Sequence, residues 1–351
     1  MMEIVIRHIK PEEENEVRSL GRKAFGGFES LFIPKSKKAL VALADGKIVA
    51  GVMIKILKGS AENKIGYIDY AFVDKAYHNH GIGSKIYKAS IEYLWNEGCR
   101  FITAIVKDDN VASFGLLQKN GFERISLYEA YRQLGTKGFI RFWMNTSAGF
   151  GYGMDFYLAS SDKKNPPIPK KDRTIASIGT YLLINMTLLL LLILLYKSND
   201  IIGLCGAYFT LLASGVVSGY ITTLFSKREW EFRFLNCGAF ISIIVMLLGN
   251  LLPINGNWYP KKYENTKEFR KDAGLNVFVS WSVLLVLVCG ANLLTQKSFY
   301  YQYLSGIGTI FLIYRIVAIY PLSSFGGERL FVWNKVLYGI LAILSLVILF
   351  I

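Results

Sequence analysis

The hydrophobic pattern of the chain changes once, near residue 174: before it, apolar and polar positions alternate in short stretches, and after it, apolar residues run on with few breaks. In the first part Ile4–Arg7 alternates as a short strand. Pro11 opens a helix to about Phe25, with Glu12–Glu14 at its positive end. Ala39–Ala44 and Lys47–Ile56 flank Asp45-Gly46, a two-residue hairpin signal. Tyr67–Val73 predicts a further strand. Ser84–Glu97 predicts a helix, with Ile86, Tyr87, Ile91 and Leu94 near helical spacing and Gly98 placed to end it. Phe101–Val106 predicts a strand, and Asn110 caps a helix that runs to Lys119 and closes at Asn120-Gly121. Phe122–Tyr128 and Gly153–Leu158 predict two last strands.

The later apolar runs lie near Ile175–Tyr196, Ile201–Phe225, Phe234–Leu252, Val277–Leu294, Tyr300–Tyr320 and Leu330–Ile351. Each approaches the roughly 20 residues that cross a hydrocarbon core. Six in succession predict an all-α transmembrane bundle of about six helices, rather than buried helices of a large soluble protein. Between the two parts, Lys163-Lys164-Asn165-Pro166-Pro167-Ile168-Pro169-Lys170-Lys171 predicts a stiff, extended linker. The expected organisation is an α/β domain over 1–160, a Pro/Lys linker over 161–173 and a transmembrane domain over 174–351.

The formal charge of +14 raises the question of nucleic acid, but its distribution argues against that partner. Lys163, Lys164, Lys170, Lys171 and Arg173 precede the first run, and Lys227, Arg228 and Arg233 follow the second. This is the positive-inside pattern of a multi-pass membrane protein, and it places the N-terminal domain in the cytoplasm, beside a lipid bilayer. One loop disagrees: residues 253–276 carry Lys261, Lys262, Lys267, Arg270 and Lys271 on what simple counting makes the outer side. Either acids balance that loop or the preceding run does not cross fully. Four cysteines, Cys99, Cys205, Cys237 and Cys289, form no C-x-x-C pair and read as small apolar packers. No basic-then-apolar leader opens the chain, so no cleavable signal peptide is expected.

Residues 67–84 carry the chemistry. An alternating strand runs into a glycine turn, and a helical pattern starts directly after it. Gly81 and Gly83 let the backbone bend sharply and approach a ligand. Amides of the turn and of the first helical turn then converge into an anion site, suited to a phosphate-bearing ligand.

The order of elements, with His78-Asn79-His80-Gly81-Ile82-Gly83 and with Asn110 followed by Asn120-Gly121-Phe122, resembles the GNAT superfamily of N-acetyltransferases over residues 3–160. The resemblance implies an α/β (α+β) acyltransferase fold with a central mixed sheet. It also implies acetyl-CoA as co-substrate, with no metal, and a primary amine of a small molecule, a protein or a lipid as acceptor. By the same resemblance, the backbone of His78, Asn79, His80, Gly81, Ile82, Gly83 and Ser84 holds the pyrophosphate. Phe72 and Val73 align the pantetheine arm as an added strand would, and Asn110 contacts the acyl donor beyond it. His78 departs from the Arg or Gln usual at the first position of the motif. Transfer needs a free amine, so a carboxylate helps remove its proton. Asp69 is the candidate base, and Tyr67, on the same strand face, is a candidate to orient the acceptor or a bound water. Many relatives carry, seven residues past the capping Asn, a tyrosine that protonates the thiolate; here Leu117 stands there, with Ser113 or Tyr87 as conceivable substitutes. The long connection 129–152, with Arg141, Phe142 and Trp143, would shape the acceptor pocket, face a membrane interface or close as a lid on its own domain.

Trp230-Glu231-Phe232-Arg233, Leu252-Pro253-Ile254-Asn255-Gly256-Asn257-Trp258-Tyr259 and Ile319-Tyr320-Pro321…Gly326-Gly327-Glu328-Arg329…Trp333-Asn334 loosely resemble archaeal site-2-protease-like membrane domains. The zinc ligands of those proteases are missing: His8, His78 and His80 are the only histidines and all precede residue 174. The resemblance therefore implies a catalytically dead descendant. Arg315, well inside the fifth run, is a candidate functional residue by its depth. The leading expectation is a membrane-tethered N-acetyltransferase; the alternative is a CoA-sensing domain regulating a protease-like membrane scaffold.

Overall fold

Residues 3–59, 63–107, 110–146, 152–197, 200–234, 238–264, 266–319 and 322–350 are described by a computed structural model, and the chain divides after Lys170 into two units. In the first unit the chain order is β1 (Ile4–His8), α1 (Glu14–Phe25), β2 (Ala39–Ala44), β3 (Lys47–Lys58), β4 (Lys64–Val73), α2 (Ile82–Asn96), β5 (Cys99–Lys107), α3 (Val111–Lys119), β6 (Glu123–Ile125), α4 (Leu127–Asn145) and β7 (Met154–Ser160). The strands form one sheet in the order β1-β2-β3-β4-β5-β7-β6. β4 and β5 pair in parallel and every other pair is antiparallel, so the sheet is mixed.

The β2–β3 turn forms as its sequence demands. Asp45 and Gly46 both take positive φ, 47° and 82°, which is what a type I′ turn requires. One face of the sheet is covered by α2 and α3, whose Ile86, Leu94 and Leu117 pack on Val52, Ile68 and Ile102. On the other face Val17 of α1 packs with Val41, Met53 and Phe72.

Two expectations for this unit are corrected. The strand anticipated over Phe122–Tyr128 is only the three residues of β6, because Ser126 Oγ accepts a hydrogen bond from Glu129 N at 3.1 Å and starts α4. The connection 129–152 is accordingly mostly helix, kinked at Gly135 (φ 66°), while 147–151 lie outside the described residues. Residues 165–170, anticipated as part of a spacer, dock on the first unit. Ile168 N donates to Glu129 Oε1 at 3.0 Å, Lys170 N donates to Arg124 O, and Gln133 Nε2 donates to Pro166 O. The buried Glu129 carboxylate captures them.

The second unit runs α5 (Thr174–Tyr196), α6 (Ile201–Leu224), β8 (Trp230–Phe234), α7 (Ala239–Leu247), β9 (Gly256–Pro260), α8 (Lys267–Leu293), α9 (Phe299–Ile316), a single 3-10 turn (Leu322–Phe325), α10 (Gly327–Trp333) and α11 (Lys335–Ile348). Among the described residues α5, α6 and α8 are long and apolar enough to cross a membrane. At 1.5 Å per residue they measure about 34–40 Å. Three of the six expected spans are thus met by such helices. The third run yields only nine helical residues. The fifth is diluted by Tyr300, Tyr301, Gln302, Tyr303 and Arg315, and the sixth breaks at Asn334, which caps α11 through Val336 N and Leu337 N. Cys237 and Tyr320-Pro321 lie outside the described residues.

Strand pairing bears on the disputed loop. β8 and β9 are antiparallel, with Trp230 opposite Pro260, and Lys261 N donates to Glu229 O. Lys261 and its basic neighbours therefore return to the side of Arg228 instead of lying across from it. Of the two explanations, incomplete crossing is the one the pairing supports. Acids are close by as well: Arg228 reaches Glu264 and Asp272, each at 2.8 Å.

Candidate acyl-donor site

Two irregularities in the sheet create this site. The parallel pairing of β4 with β5 runs from Lys64–Cys99 to Ile68–Ala104 and ends there, while β5 continues along β7 to Lys107. Among the described residues, the β5-facing edge of β4 past Ile68 has no strand partner. The pairing of β3 with β4 shifts register between Met53 and Ile54, whose partners are Tyr70 and Ile68. Asp69 is the extra residue of that bulge, and bulges re-aim the side chains they carry.

The direction of the backbone groups follows from alternation. Asp74 N donates to Val49 O at 2.8 Å, so Phe72 N also turns toward β3, and the amides of Ala71 and Val73 turn toward the open edge. Phe72 is placed mainly by its side chain, which is buried against α1.

β4 leads through Asp74 into the turn. The Asp74 carboxylate accepts from Ala76 N at 3.0 Å, and this bond, with nearby Lys23 adding to it, holds its pKa below the usual value. His78 Nε2 is 3.1 Å from Val73 O, and His80 Nδ1 is 2.8 Å from His78 O. Both rings therefore brace the turn. Asn79 (φ 65°) and Gly81 (φ 71°) are left-handed, a conformation that costs a side chain least at glycine and little at asparagine. The first α2 hydrogen bond closes from Lys85 N to Gly81 O at 3.1 Å, so the amides of Ile82, Gly83 and Ser84 have no intrahelical acceptor. A Cβ on Gly83 would meet only Val73 Cγ2, at 3.4 Å, and one on Gly81 nothing within 4 Å. Among the described residues, a side chain at either glycine would therefore find room.

Asp69 lies beside this edge with its side chain 5% exposed, and Lys55 Nζ is 2.7 Å from its Oδ2. Burial raises the Asp69 pKa above the ordinary carboxylate value. The Lys55 ammonium and a hydrogen bond from Tyr67 pull it back only in part. Lys55 also donates to Asn145 O at 3.3 Å and lies 5.8 Å from the Tyr67 ring centroid. Tyr67 is fully buried, its ring 5.6 Å from that of Phe142, so beyond its tie to Asp69 it packs the core.

Asn110 caps α3, accepting from Ser113 N at 3.1 Å, and is exposed. Leu117 and Tyr87 are both in the core. Phe142 is buried against Tyr67 and Phe156, and Arg141 donates to Lys58 O, so this stretch closes on its own unit. The exposed apolar residues of α4 are others, Met144 at 78% and Tyr128 at 73%. Lys55 was missed by sequence reasoning. The available signal was a lysine inside Ile48–Leu57, where its neighbours are apolar.

Residues 5–122 match the model of the acetyltransferase (GNAT) family. That match, within the first unit, supports an acyltransferase that uses acetyl-CoA as acyl donor. No curated protein matches the chain by sequence. Among solved structures, similarity is found to the NatC complex bound to Gag peptide and CoA, at 19% identity and TM-score 0.33 over 45% of this chain and 97% of that one. The IAA acetyltransferase of Bacillus cereus is similar at 18% identity and TM-score 0.32, over 45% and 99%. Arabidopsis thaliana Naa50 with a bisubstrate analogue is similar at 16% and 0.31, over 44% and 95%.

Proposed function

We propose that the chain is a membrane-tethered N-acetyltransferase that moves the acetyl group of acetyl-CoA to a primary amine by direct attack. The observation that carries this reading is the meeting, in one unit, of three features: donor-only amides at Ile82, Gly83 and Ser84, an unpaired β4 edge, and a shielded carboxylate at Asp69. Together with His78, Asn79, His80 and Gly81, those amides form the pyrophosphate cradle. Val73 and Ala71 offer backbone groups to the pantetheine arm, with Phe72 fixing their register. Asn110 keeps its amide nitrogen for the acyl donor.

The thioester supplies an activated carbonyl. Asp69 accepts the proton of the attacking ammonium, directly or through water, which matters because an amine is mostly protonated at neutral pH. Lys55 neutralises the carboxylate when no substrate is bound, and Tyr67 orients it. Leu117 offers no proton to the departing thiolate, and that thiolate leaves without a dedicated acid. α5, α6 and α8 hold the domain at a bilayer, with the basic segments around Lys171 and Arg228 on the cytoplasmic side. The acceptor is an amine of a small molecule, protein or lipid.

A second reading is favoured by two observations: a core leucine at 117, and a Lys55 that already occupies Asp69. In it the first unit senses acetyl-CoA and regulates the second unit as a protease-like scaffold without catalysis. Thiol release from acetyl-CoA against a broad amine panel separates the two. Amine-dependent turnover supports the enzyme, while saturable binding with no acetylated product supports the sensor.

A further inference from the structure

The second unit contains a polar cavity that acyl transfer does not use. Its origin is the stretch between β8 and β9. The chain goes out through α7, whose end is fixed where Tyr196 Oη donates to Leu247 O, and returns without regular structure until β9. Non-helical backbone among membrane helices persists only where protein or a cavity satisfies it. Asn185 of α5 does much of this. Its Oδ1 accepts from Ile254 N at 2.8 Å, and its Nδ2 donates to Ile254 O at 3.1 Å and to Tyr181 O at 2.9 Å. Asn255 and Asn257 both donate to Ser324 O, at 2.6 and 2.7 Å. Trp258 Nε1 donates to Val216 O at 2.9 Å.

The space left beside this strand is about 50 Å³, and its polar lining is Tyr181, Asn255, Asn257, Asn276, Ser280 and Arg315. The rest of the wall is apolar, including Leu211 and Phe311, and no carboxylate is part of it. Arg315 Nη1 donates to Ser280 Oγ at 3.0 Å, and Ser280 Oγ donates on to Val277 O at 3.1 Å. Among the described residues this is the only hydrogen bond of the Arg315 guanidinium, which has five N–H groups and stays charged at any ordinary pH. Asn276 spends its NH₂ on Gly219 O and Thr222 Oγ1.

A guanidinium with one neutral partner, set among apolar helices, is costly unless a counter-charge reaches it. Among the described residues lining the cavity, none supplies that charge. We propose that the cavity binds a small oxyanion, a carboxylate or phosphate group, gripped by the free donors of Arg315 beside Ser280. Planar, paired N–H groups fit two oxygens of such a group. The volume sets the size, since a water needs about 10–15 Å³ of such space. The site therefore takes an anion of about four or five heavy atoms, or the charged end of something larger. Two sources share this chemistry: a free small anion and an anionic lipid headgroup.

The test uses the full-length protein in neutral detergent. Equilibrium dialysis with labelled acetate and labelled inorganic phosphate reads the free anions, and native mass spectrometry with phosphatidylglycerol against phosphatidylcholine reads the headgroup. CoA binding by the first unit serves as the folding control. The expected result is saturable one-to-one retention in at least one arm, and the arm that binds identifies the source. Arg315→Gln should weaken it by about tenfold or more, Ser280→Ala by several-fold, and Arg315→Lys less than Arg315→Gln. Absence of saturable binding in every arm overturns the proposal, as does unchanged affinity in Arg315→Gln. If Arg315→Gln does not fold, Ser280→Ala decides: weakened binding supports the site and unchanged affinity overturns it.

Discussion

Asp69 and Arg315 are both charges held away from bulk water, and the two units treat them differently. In the first unit the sheet places Lys55 2.7 Å from Asp69, so the charge is met inside the protein, yet burial still leaves the carboxyl easier to protonate than usual. In the second unit the described residues give Arg315 a serine and no acid. A met charge can titrate and work as a base; an unmet one works by drawing a ligand. The contrast separates a site built to move a proton from a site built to hold an anion.

The largest effect expected in the first unit is at the turn. Gly83→Glu adds a side chain where a Cβ meets only Val73 Cγ2, so the fold should survive, and replacing glycine within a helix adds up to about 1 kcal/mol of propensity. A carboxylate over the amides of Ile82–Ser84 should nevertheless raise the Kd for CoA by about 100-fold or more, near 2.8 kcal/mol. Calorimetry with thermal unfolding as the control separates the two effects. Next comes Asp69→Asn. Removing a general base costs about 10²–10⁴ in rate, so kcat should fall by at least about 100-fold with the affinity for CoA unchanged.

The pH profile sharpens this point. A base with a raised pKa is protonated sooner as pH falls, so the acid limb of kcat should lie above the ordinary carboxylate range. Lys55→Met removes the ammonium that holds the pKa down and should move that limb further up. A limb that stays in place would contradict the assignment.

Part of this architecture was legible in the sequence and part was not, for physical reasons. The β2–β3 turn, the glycine turn and the Asn110 cap depend on local dihedrals and local hydrogen bonds, which residue types announce. Lys55 could not be identified this way. Its importance comes from a bulge in β4 that turns Asp69 toward it, and bulges arise between strands. α4 escapes the pattern because Ser126, the cap that starts it, lies inside the alternating stretch Phe122–Tyr128, and because Gly135 kinks the helix. Counting apolar runs does not show where helices stop. Hydropathy does not see that Asn334 stops one helix and starts another, or that 250–256 returns as non-helical chain pinned by Asn185.

The smallest effect concerns the docked segment. Burial works against the Glu129 charge, but Arg132, the Ile168 amide and Gln133 outweigh it and hold its pKa at about 2 against 4.5 unperturbed. A depressed carboxyl pKa gives stability that is complete above the unfolded value and is lost as pH falls through the folded one. Docking of 165–170 should therefore hold at neutral pH and weaken between pH 4.5 and about 2. Glu129→Gln should release the segment at neutral pH, read as faster amide exchange at Ile168 and Lys170 with catalysis little changed.

The most direct test is titration of the full-length wild-type protein with CoA in a calorimeter, with Gly83→Glu alongside. The wild type should bind CoA saturably and one to one, and Gly83→Glu should lose that binding while unfolding at no lower temperature. No heat of binding in the wild type, or equal affinity in both proteins, would contradict the assignment of the turn and of the reaction built on it.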